Sequence, residues 1–241
     1  MAKPSTITMQ TTPPISIILP VLNEATALAA TLKALAPLRA NGVEIIVVDG
    51  GSSDGSPDIA MPHVDRTIVA PRGRASQMNA GAAVARGRVL LFLHADTRLP
   101  ENACRAILLG IASGRLWGRF DVRIEGKSTW LPLVALSMNW RSRLTGIATG
   151  DQAIFVSTEA FRAVGGFPDI PLMEDIALSR RLLQMGKPTC LDAAVATSGR
   201  RWETHGVLRT ILFMWSLRLR YFFGADPHRL AAEYGRSSRR P

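Results

Sequence analysis

The chain is poor in cysteine, and it lacks any long uninterrupted run of apolar residues. Its two cysteines, Cys104 and Cys190, lie far apart and in no CxxC or Cys/His spacing. This argues against a zinc site and a disulfide framework, and it favours a reducing, cytoplasmic location. Residues 15–22 are too short an apolar run for a signal peptide or a membrane span, and arginines interrupt residues 207–223. We therefore predict no transmembrane segment.

Two nucleotide-binding signatures are also missing. Neither GxGxxG nor GxxxxGK(S/T) is present, which argues against a dinucleotide-binding domain and a P-loop. A bound pyrophosphate is therefore expected to rest on a metal ion rather than on a glycine-rich helix start alone. Acidic residues are outnumbered 19 to 29 by basic ones, and the formal net charge is +10. Such a chain suits nucleic acid, an anionic membrane surface or a phosphorylated substrate, and charge alone does not choose among them.

What the sequence does have is an alternation of short apolar runs and longer helical patterns. This alternation is typical of βαβ units, and it predicts an α/β fold with helices on both faces of a mostly parallel sheet. With 241 residues, 47% of them hydrophobic, the chain can bury one full core. We predict a disordered segment 1–14, one domain over 15–202, and an amphipathic helix with a basic tail over 203–241. The stretch after Tyr234 is expected to be disordered.

The apolar runs give specific expectations for strands and helices. The predicted strands are 15–21, 44–49, 66–70, 89–93, 120–124 and 152–156, and the predicted helices are 25–35, 75–85, 131–144 and 175–185. Ligands of open α/β sheets bind beyond the carboxyl ends of the strands. Asn23, Asp49 and Asp96 are therefore expected to meet in one crevice.

Asp96 is a candidate ligand of a divalent cation. Mg²⁺ and Mn²⁺ prefer carboxylate and phosphate oxygens, and one or two protein carboxylates suffice when the substrate brings its own. The alternative is that Asp96 caps a helix beginning near Pro100. The glycine-bearing turn 50–55 after Asp49 permits close backbone approach to a ligand, and its alternative is ordinary turn and cap chemistry.

Five segments resemble, in order, the motifs of the inverting glycosyltransferase family 2, which has the GT-A fold. They are PVLNE (20–24), VVDGGSSDGS (47–56), GRASQMNAG (73–81), LFLHADT (91–97) and MEDIALSRRL (173–182). The resemblance covers residues 15–202. It implies a nucleoside-diphosphate sugar donor, Mn²⁺ or Mg²⁺ as cofactor, and no nucleic-acid partner.

The resemblance also implies a set of site residues. The predicted nucleotide-sugar-binding residues are Pro20, Asn23, Glu24, Asp49, Gly51, Asp54, Arg74, Asn79, Ala95, Asp151, Arg201 and Trp202. Asp96 matches the last acid of the metal-binding DxD motif, whose first acid is replaced here by His94. Asp175 matches the general base, with Glu174 beside it, and the alternative for both acids is a helix cap. His205 is a second candidate metal ligand, for which packing is the favoured alternative.

Several features leave alternatives open. Arg141 and Arg143 suit either a phosphate-bearing acceptor or a solvated helix end. Residues 207–223 suit a peripheral contact with the inner face of a membrane, or packing on the domain or in a homodimer. The Gln-x-x-Arg-Trp motif of processive members is only echoed, by Arg200-Arg201-Trp202, and their membrane helices are missing, so we predict a non-processive transferase.

The acceptor itself is not identified by the sequence, and both phosphorylated and lipid-linked acceptors fit. A nucleotidyltransferase that makes sugar nucleotides is one alternative function, although PVLNE lacks the glycine-rich loop with Arg or Lys that such enzymes usually have. A binding module without catalysis is the other, and the presence of Asp96 and Asp175 argues against it.

Overall fold

One mixed eight-stranded sheet forms the centre of the computed structural model, which describes residues 12–238. The strands are β1 (Ile15–Val21), β2 (Glu44–Asp49), β3 (Arg66–Val69), β4 (Val89–Phe92), β5 (Thr97–Arg98), β6 (Trp117–Glu125), β7 (Phe155–Ser157) and β8 (Thr189–Ser198). Their order across the sheet is β3-β2-β1-β4-β7-β6-β8-β5.

Ten α-helices surround this sheet in the described part of the chain. They are α1 (Ala25–Ala40), α2 (Ser56–Ala60), α3 (Arg74–Val84), α4 (Ala103–Ala112), α5 (Leu131–Thr145), α6 (Thr158–Ala163), α7 (Glu174–Leu183), α8 (Arg200–His205), α9 (Val207–Phe222) and α10 (Pro227–Ser238). Two short 3₁₀ turns, Met61–His63 and Gly150–Gln152, complete the described secondary structure.

The first half of the sheet, β1 to β4, is wholly parallel, and β1, β2 and β4 are buried on both faces, whereas the edge strand β3 is partly exposed. Successive apolar side chains of these strands point to opposite faces of the sheet. Those on the same face as Ile17 pack against α1, α4 and α5. Those on the same face as Ile18 pack against α3, α6 and α7. Strands buried on both faces read as continuous apolar runs, which is why their positions were predictable. The predicted α/β class with helices on both faces is confirmed.

The second half of the sheet departs from the parallel pattern. Strand β7 runs antiparallel to both β4 and β6, so four of the seven strand pairings in the described residues are parallel. The ten-residue strand β8, parallel to β6, was not predicted, because its sequence TCLDAAVATS lacks a strong β-branched or apolar run. Strand β7 starts three residues later than predicted because Gly150–Gln152 forms a capped 3₁₀ turn.

The C-terminal segment forms a pair of helices rather than the single amphipathic helix that we predicted. Leu217 of α9 and Leu230 of α10 are buried and pack with Leu172, Met173 and Ile176. Helix α10 continues to Ser238, so the disorder predicted after Tyr234 is wrong up to that residue. Residues 239–241, and residues 1–11 of the predicted disordered segment, lie outside the described part. Between residues 12 and 238, no helix is long and apolar enough to cross a membrane.

Candidate active site

A cleft of about 560 Å³ lies beyond the carboxyl ends of β1 and β4. It brings together ten of the predicted residues: Pro20, Glu24, Arg74, Ala95, Asp96, Asp151, Glu174, Asp175, Arg201 and Trp202. These residues come from strand ends and helix starts far apart in the sequence. The position agrees with the general rule for ligands of open α/β sheets.

Asp96 lies in a tight turn between β4 and β5 and faces the cleft. The turn is closed by the backbone N–H of Thr97, which donates to the carbonyl oxygen of His94 at 3.1 Å. Helix α4 begins only at Ala103 and follows Asn102, so Asp96 does not cap it. The helix-cap alternative for Asp96 is therefore removed.

A second carboxylate, that of Glu24, lies near Asp96. The Nη2 atom of Arg200 is 3.7 Å from Glu24 Oε2. Burial raises the pKa of Glu24, and the charge of Asp96 raises it further, although Arg200 and Arg74 oppose this. A cation between two carboxylates would relieve their repulsion.

The described residues do not form a complete metal site by themselves. In residues 12–238, no group of three or more His, Cys, Asp or Glu side chains is placed to hold an ion. A cation at Asp96 would need oxygen atoms from a bound ligand, and a diphosphate supplies such oxygens. The residues present therefore fit a metal ion that arrives with a nucleotide.

Asp175 and Glu174 occupy the first turn of α7. Both carboxylate oxygens of Asp175 accept backbone N–H groups, from Gly150 to Oδ2 at 2.9 Å and from Ile176 to Oδ1 at 2.7 Å. Asp175 is partly exposed to the cleft, whereas Glu174 is buried. Burial raises the pKa of Glu174, and the adjacent charge of Asp175 raises it further. Asp175 therefore accepts a backbone N–H group of the first turn of α7 and also faces the cleft.

His94 pairs with another residue of the cleft rather than standing alone. Its Nδ1 atom lies 3.4 Å from Asp151 Oδ1. Partial desolvation would raise the pKa of Asp151, but the hydrogen bond and charge of His94, with Arg74 and Arg218, lower it to about 2. The ring also packs on Gly150, where a Cβ atom would lie 2.6 Å from Nε2, so the loop needs glycine there.

Four predicted residues lie next to the cleft without lining it, and they form a hydrogen-bonded wall: Asn23, Asp49, Gly51 and Asp54. The carboxylate of Asp49 accepts from the N–H groups of Gly51 and Ser52. Asn23 Oδ1 accepts from the Ser53 N–H at 2.8 Å, and Asp54 Oδ2 accepts from the first N–H of α1, that of Ala25, at 2.9 Å. These contacts are the turn and cap chemistry that we considered as the alternative for this segment.

Two predicted residues lie elsewhere. The amide of Asn79 pairs with both backbone groups of Phe167, at 2.8 and 3.0 Å, so it fastens α3 to the loop before α7. His205 lines a different cavity of about 730 Å³ between the C-terminal helices, which contains none of the motif carboxylates. Asn79 and His205 therefore lie outside the cleft in which nucleotide-sugar binding and metal binding were predicted for them.

The cleft also contains residues that sequence reasoning missed. Gln77 of α3 is buried, and its Nε2 atom donates to the carbonyl oxygens of Val21 and Val48, at 2.8 Å each. The C-terminal helices α9 and α10 close one side of the cleft with Thr210, Met214, Arg218 and Tyr234. No motif marks these last positions, because only the packing of α9 and α10 brings them there.

Backbone strain is concentrated around the cleft. In the described residues, three non-glycine residues have a positive φ: Asn23 at 55°, Ala153 at 48° and Met173 at 70°. Asn23 and Met173 directly precede the cleft residues Glu24 and Glu174, and Ala153 lies two residues after Asp151. Each such conformation costs about 1–3 kcal/mol and tends to persist at functional sites.

The chain is similar to a family model and to known proteins. The family model described as glycosyl transferase family 2 matches residues 16–164, more than half of the chain. The probable glycosyltransferase YdaM of Bacillus subtilis is 27% identical over 203 residues, which are 74% of this chain and 48% of YdaM. The chain therefore spans about half the length of this relative.

Solved structures show the same fold. The mannosyltransferase PcManGT from Pyrobaculum calidifontis, solved with GDP-Man and Mn²⁺, matches 86% of this chain and 65% of its own, with a TM-score of 0.61 and 20% identity. The S. aureus TarS 1–349 structure with UDP-GlcNAc matches 76% of this chain and 58% of its own, with a TM-score of 0.62 and 16% identity.

Proposed function

The chain belongs to glycosyltransferase family 2, and from this premise we propose that it transfers a sugar from a nucleoside-diphosphate donor to an acceptor, with inversion and with a divalent metal. The observation that carries the proposal is the meeting of Asp96, Arg74 and the pair Glu174-Asp175 in one cleft. These are the groups that the reaction needs: anionic ligands for a cation, a positive charge for the diphosphate and a base for the acceptor. The nucleotidyltransferase and binding-module alternatives receive no support from the family match.

The donor is proposed to bind along the parallel half of the sheet. Asp96 would hold Mn²⁺ or Mg²⁺ with help from the diphosphate oxygens, and the bound cation neutralises charge on the leaving group. The Pyrobaculum mannosyltransferase, which has the same fold, was solved with GDP-Man and Mn²⁺, and this supports the use of a divalent metal. Arg74 at the start of α3 adds positive charge on the same side of the cleft. The wall built by Asn23, Asp49, Gly51 and Asp54 shapes the nucleoside side of the pocket.

Asp175 is proposed to take the proton of the acceptor. An inverting transfer needs attack on the anomeric carbon from the face opposite the diphosphate, so one carboxylate must receive the acceptor proton as the new bond forms. The two backbone N–H groups on Asp175 fix its orientation, and its partial exposure leaves lone pairs open to the cleft. Glu174 is more buried and is proposed to position the start of α7.

The catalytic unit is proposed to extend beyond residue 202. Thr210, Met214, Arg218 and Tyr234 line the same cleft as Asp96, although they lie in the segment 203–241 that we separated from the domain. The Tyr234 hydroxyl is also hydrogen-bonded to Arg201. A protein cut after residue 202 should therefore lose transfer activity.

Release of nucleoside diphosphate from a panel of nucleotide sugars tests this function. The panel is offered with Mn²⁺, with Mg²⁺ and with EDTA, each with and without a cell extract as a source of acceptor. We expect one or a few donors to be consumed, only with metal, and faster with extract. Asp96→Asn should abolish the signal, whereas Asp169→Asn, at an exposed acid that does not line the cleft, should not. No donor consumption by the wild-type protein under any of these conditions would contradict the proposal.

A further inference from the structure

Three buried guanidinium nitrogens have no hydrogen-bond partner within residues 12–238. They are Nε and Nη2 of Arg141 on α5 and Nε of Arg218 on α9. Buried polar groups are almost always hydrogen-bonded, and a buried charge without a partner is costly. Arg143, two residues from Arg141, is the opposite case, because it pairs with both Asp121 and Asp192. The unsatisfied nitrogens therefore call for a partner that residues 12–238 do not supply.

Both arginines lie beside the acids of the cleft. Arg218 lines the cleft directly. Burial lowers the pKa of Arg141 to about 10, with a further lowering from the charge of Arg218, while Asp175 and Asp151 act in the opposite direction. Two like charges are thus held near each other on the side of the cleft where Asp175 lies.

An apolar groove leads away from these arginines. It has a volume of about 260 Å³, runs between α5 and α9, and is lined by Trp130, Leu133, Val134, Val207, Ile211 and Trp215. Met138, Asp151, Trp202, Met214 and Arg218 line both the groove and the cleft. The groove therefore opens into the cleft next to Arg218.

The outer end of the groove is continuous with two exposed apolar stripes. On α5 the exposed side chains are Leu133, Leu136, Trp140 and Leu144, and on α9 they are Leu208, Leu212, Trp215, Leu219 and Phe222. They recur at spacings of three and four residues, so each set lies along one face of its helix. Soluble monomers seldom expose apolar area on this scale, and such patches mark interaction sites. Apolar chains can therefore approach the groove from outside.

We propose that Arg218 binds an anionic group of the acceptor, that the charge of Arg141 beside it strengthens this binding, and that the groove between α5 and α9 takes the hydrocarbon chain of the acceptor. The acceptor is then an anionic amphiphile, and a phosphate ester fits best because one guanidinium group can offer two donors to its oxygens and a second positive charge nearby favours an anion. This inference rests on the proposed function, because it names the class of acceptor for that transfer reaction. The binding itself requires neither donor nor metal.

Binding of dodecyl phosphate below its micellar concentration tests the proposal. Inorganic phosphate tests the head group alone, and dodecyl maltoside tests the chain with a neutral head. Calorimetry gives the affinities, and the fluorescence of Trp130, Trp202 and Trp215 in the groove reports binding. We expect dodecyl phosphate to bind at least about tenfold more tightly than either comparison ligand, because the charged hydrogen bonds and the buried chain both contribute.

Matched variants assign the two parts of the ligand. Arg218→Gln should weaken dodecyl phosphate binding about tenfold or more, Arg141→Gln should weaken it less because Arg141 acts through its charge alone, and both variants should leave dodecyl maltoside binding unchanged. Trp215→Ala, at an exposed position, should weaken both dodecyl ligands and leave inorganic phosphate unchanged. Arg209→Gln is the control, because Arg209 is on the same helix but lines neither the cleft nor the groove.

Three results would overturn the proposal. They are equal dodecyl phosphate affinity in wild type and in both folded arginine variants, inorganic phosphate binding as tight as dodecyl phosphate, and dodecyl maltoside binding as tight as dodecyl phosphate. The second would indicate a water-soluble phosphorylated acceptor and the third a neutral lipid. Because no nucleotide sugar is present, failure here is distinct from failure of the proposed transfer reaction.

Discussion

The two sides of the cleft satisfy their polar side chains in different ways. On the donor wall, built by β1, β2, α3 and the loops after the strands, Asp49 and Gln77 each hydrogen-bond to the protein's own backbone. On the acceptor wall, built by α5 and α9, buried nitrogens of Arg141 and Arg218 have no partner within the described residues. The difference fits the proposed roles: the donor wall would be shaped before any ligand binds, whereas the acceptor wall would be completed by its ligand.

The two walls also differ in how much of their apolar surface is exposed. The strands of the donor wall are buried on both faces, whereas α5 and α9 leave large apolar side chains exposed. A closed wall tolerates few changes, because removal of any buried group leaves a void or an unpaired atom. Substitutions in the open wall should change the free energy of unfolding little and change ligand affinity more.

The largest expected effect is loss of turnover in Asp96→Asn. The amide cannot supply the carboxylate charge for the cation, and metal stabilisation of a leaving group is worth several kcal/mol, so turnover should fall about a thousandfold or more. The melting temperature should stay near the wild-type value, because no described hydrogen bond of the fold uses the Asp96 carboxylate. Rates at saturating Mn²⁺ measure this, and a near-normal rate would move the metal away from Asp96.

Asp175→Asn should have the next largest effect. Loss of a general base acts in the transition state, so kcat should fall by about two or more orders of magnitude while the donor Kd changes little. Glu174→Gln should be milder. Rates with the true acceptor and donor affinity by calorimetry separate the two acids. A collapse of donor binding in Asp175→Asn would instead place that residue in the nucleotide pocket.

Gln77→Leu should destabilise the donor wall. It removes two buried hydrogen bonds and leaves the carbonyl oxygens of Val21 and Val48 unpaired, so the free energy of unfolding should fall by about 2–4 kcal/mol. Donor binding should weaken with it, since the ends of β1 and β2 carry that wall. Urea unfolding measures the loss. An unchanged midpoint would show that this wall is not held by Gln77.

Glu174→Gln should change how stability depends on pH. Because the pKa of Glu174 is raised in the folded protein, the folded state binds its proton more tightly than the unfolded state. Wild-type stability therefore falls as pH rises from the unfolded pKa through the folded one. The variant should be the more stable protein at pH 7, and the difference should shrink towards pH 4. Melting curves across this range test the sign, and a variant less stable at pH 7 would contradict it.

The smallest expected effect is on the stability of Arg141→Met. Removing a buried, unpartnered guanidinium should leave the melting temperature unchanged or raise it slightly. Arg143→Met is the matched control on the same helix. It should cost about 1 kcal/mol, because Arg143 pairs with Asp121 and Asp192. A larger loss in Arg141→Met than in Arg143→Met would show that Arg141 holds the fold together.

The sequence predicted the helices and strands of both walls, including α5 and α9, but it showed the site residues of the donor wall better than those of the acceptor wall. The strands leading to Glu24 and Asp96 are buried on both faces, so their apolar runs and the acids that follow them were visible in the sequence. Strand β8 was missed because it lacks a strong apolar run, and helix α10, although amphipathic, was missed because its arginines and serines are typical of a disordered tail. The placement of Arg218 beside Arg141 depends on how α9 packs, which no local pattern contains.

Arg141 and Arg143 show the limit of local reasoning most clearly. They are two residues apart on one helix, so their side chains point to different sides, and the sequence alone offered the same two interpretations for both. The structure separates them, because Arg143 is engaged by two acids, whereas the Nε and Nη2 atoms of Arg141 are buried without a hydrogen-bond partner in residues 12–238. Similarly, Asn79 lies in a donor-like motif, but its amide is used by the backbone of Phe167.

The central claim is that a nucleoside-diphosphate sugar binds in the cleft together with a metal at Asp96. Thermal shift of the wild-type protein and Asp96→Asn, with a panel of nucleotide sugars and with or without Mn²⁺, tests it most directly, because a ligand of the native state raises the melting temperature. We predict that at least one donor stabilises the wild type, that Mn²⁺ strengthens this shift, and that Asp96→Asn loses the metal-dependent part. The absence of any shift in the wild type, or an equal metal-dependent shift in Asp96→Asn, would contradict the claim.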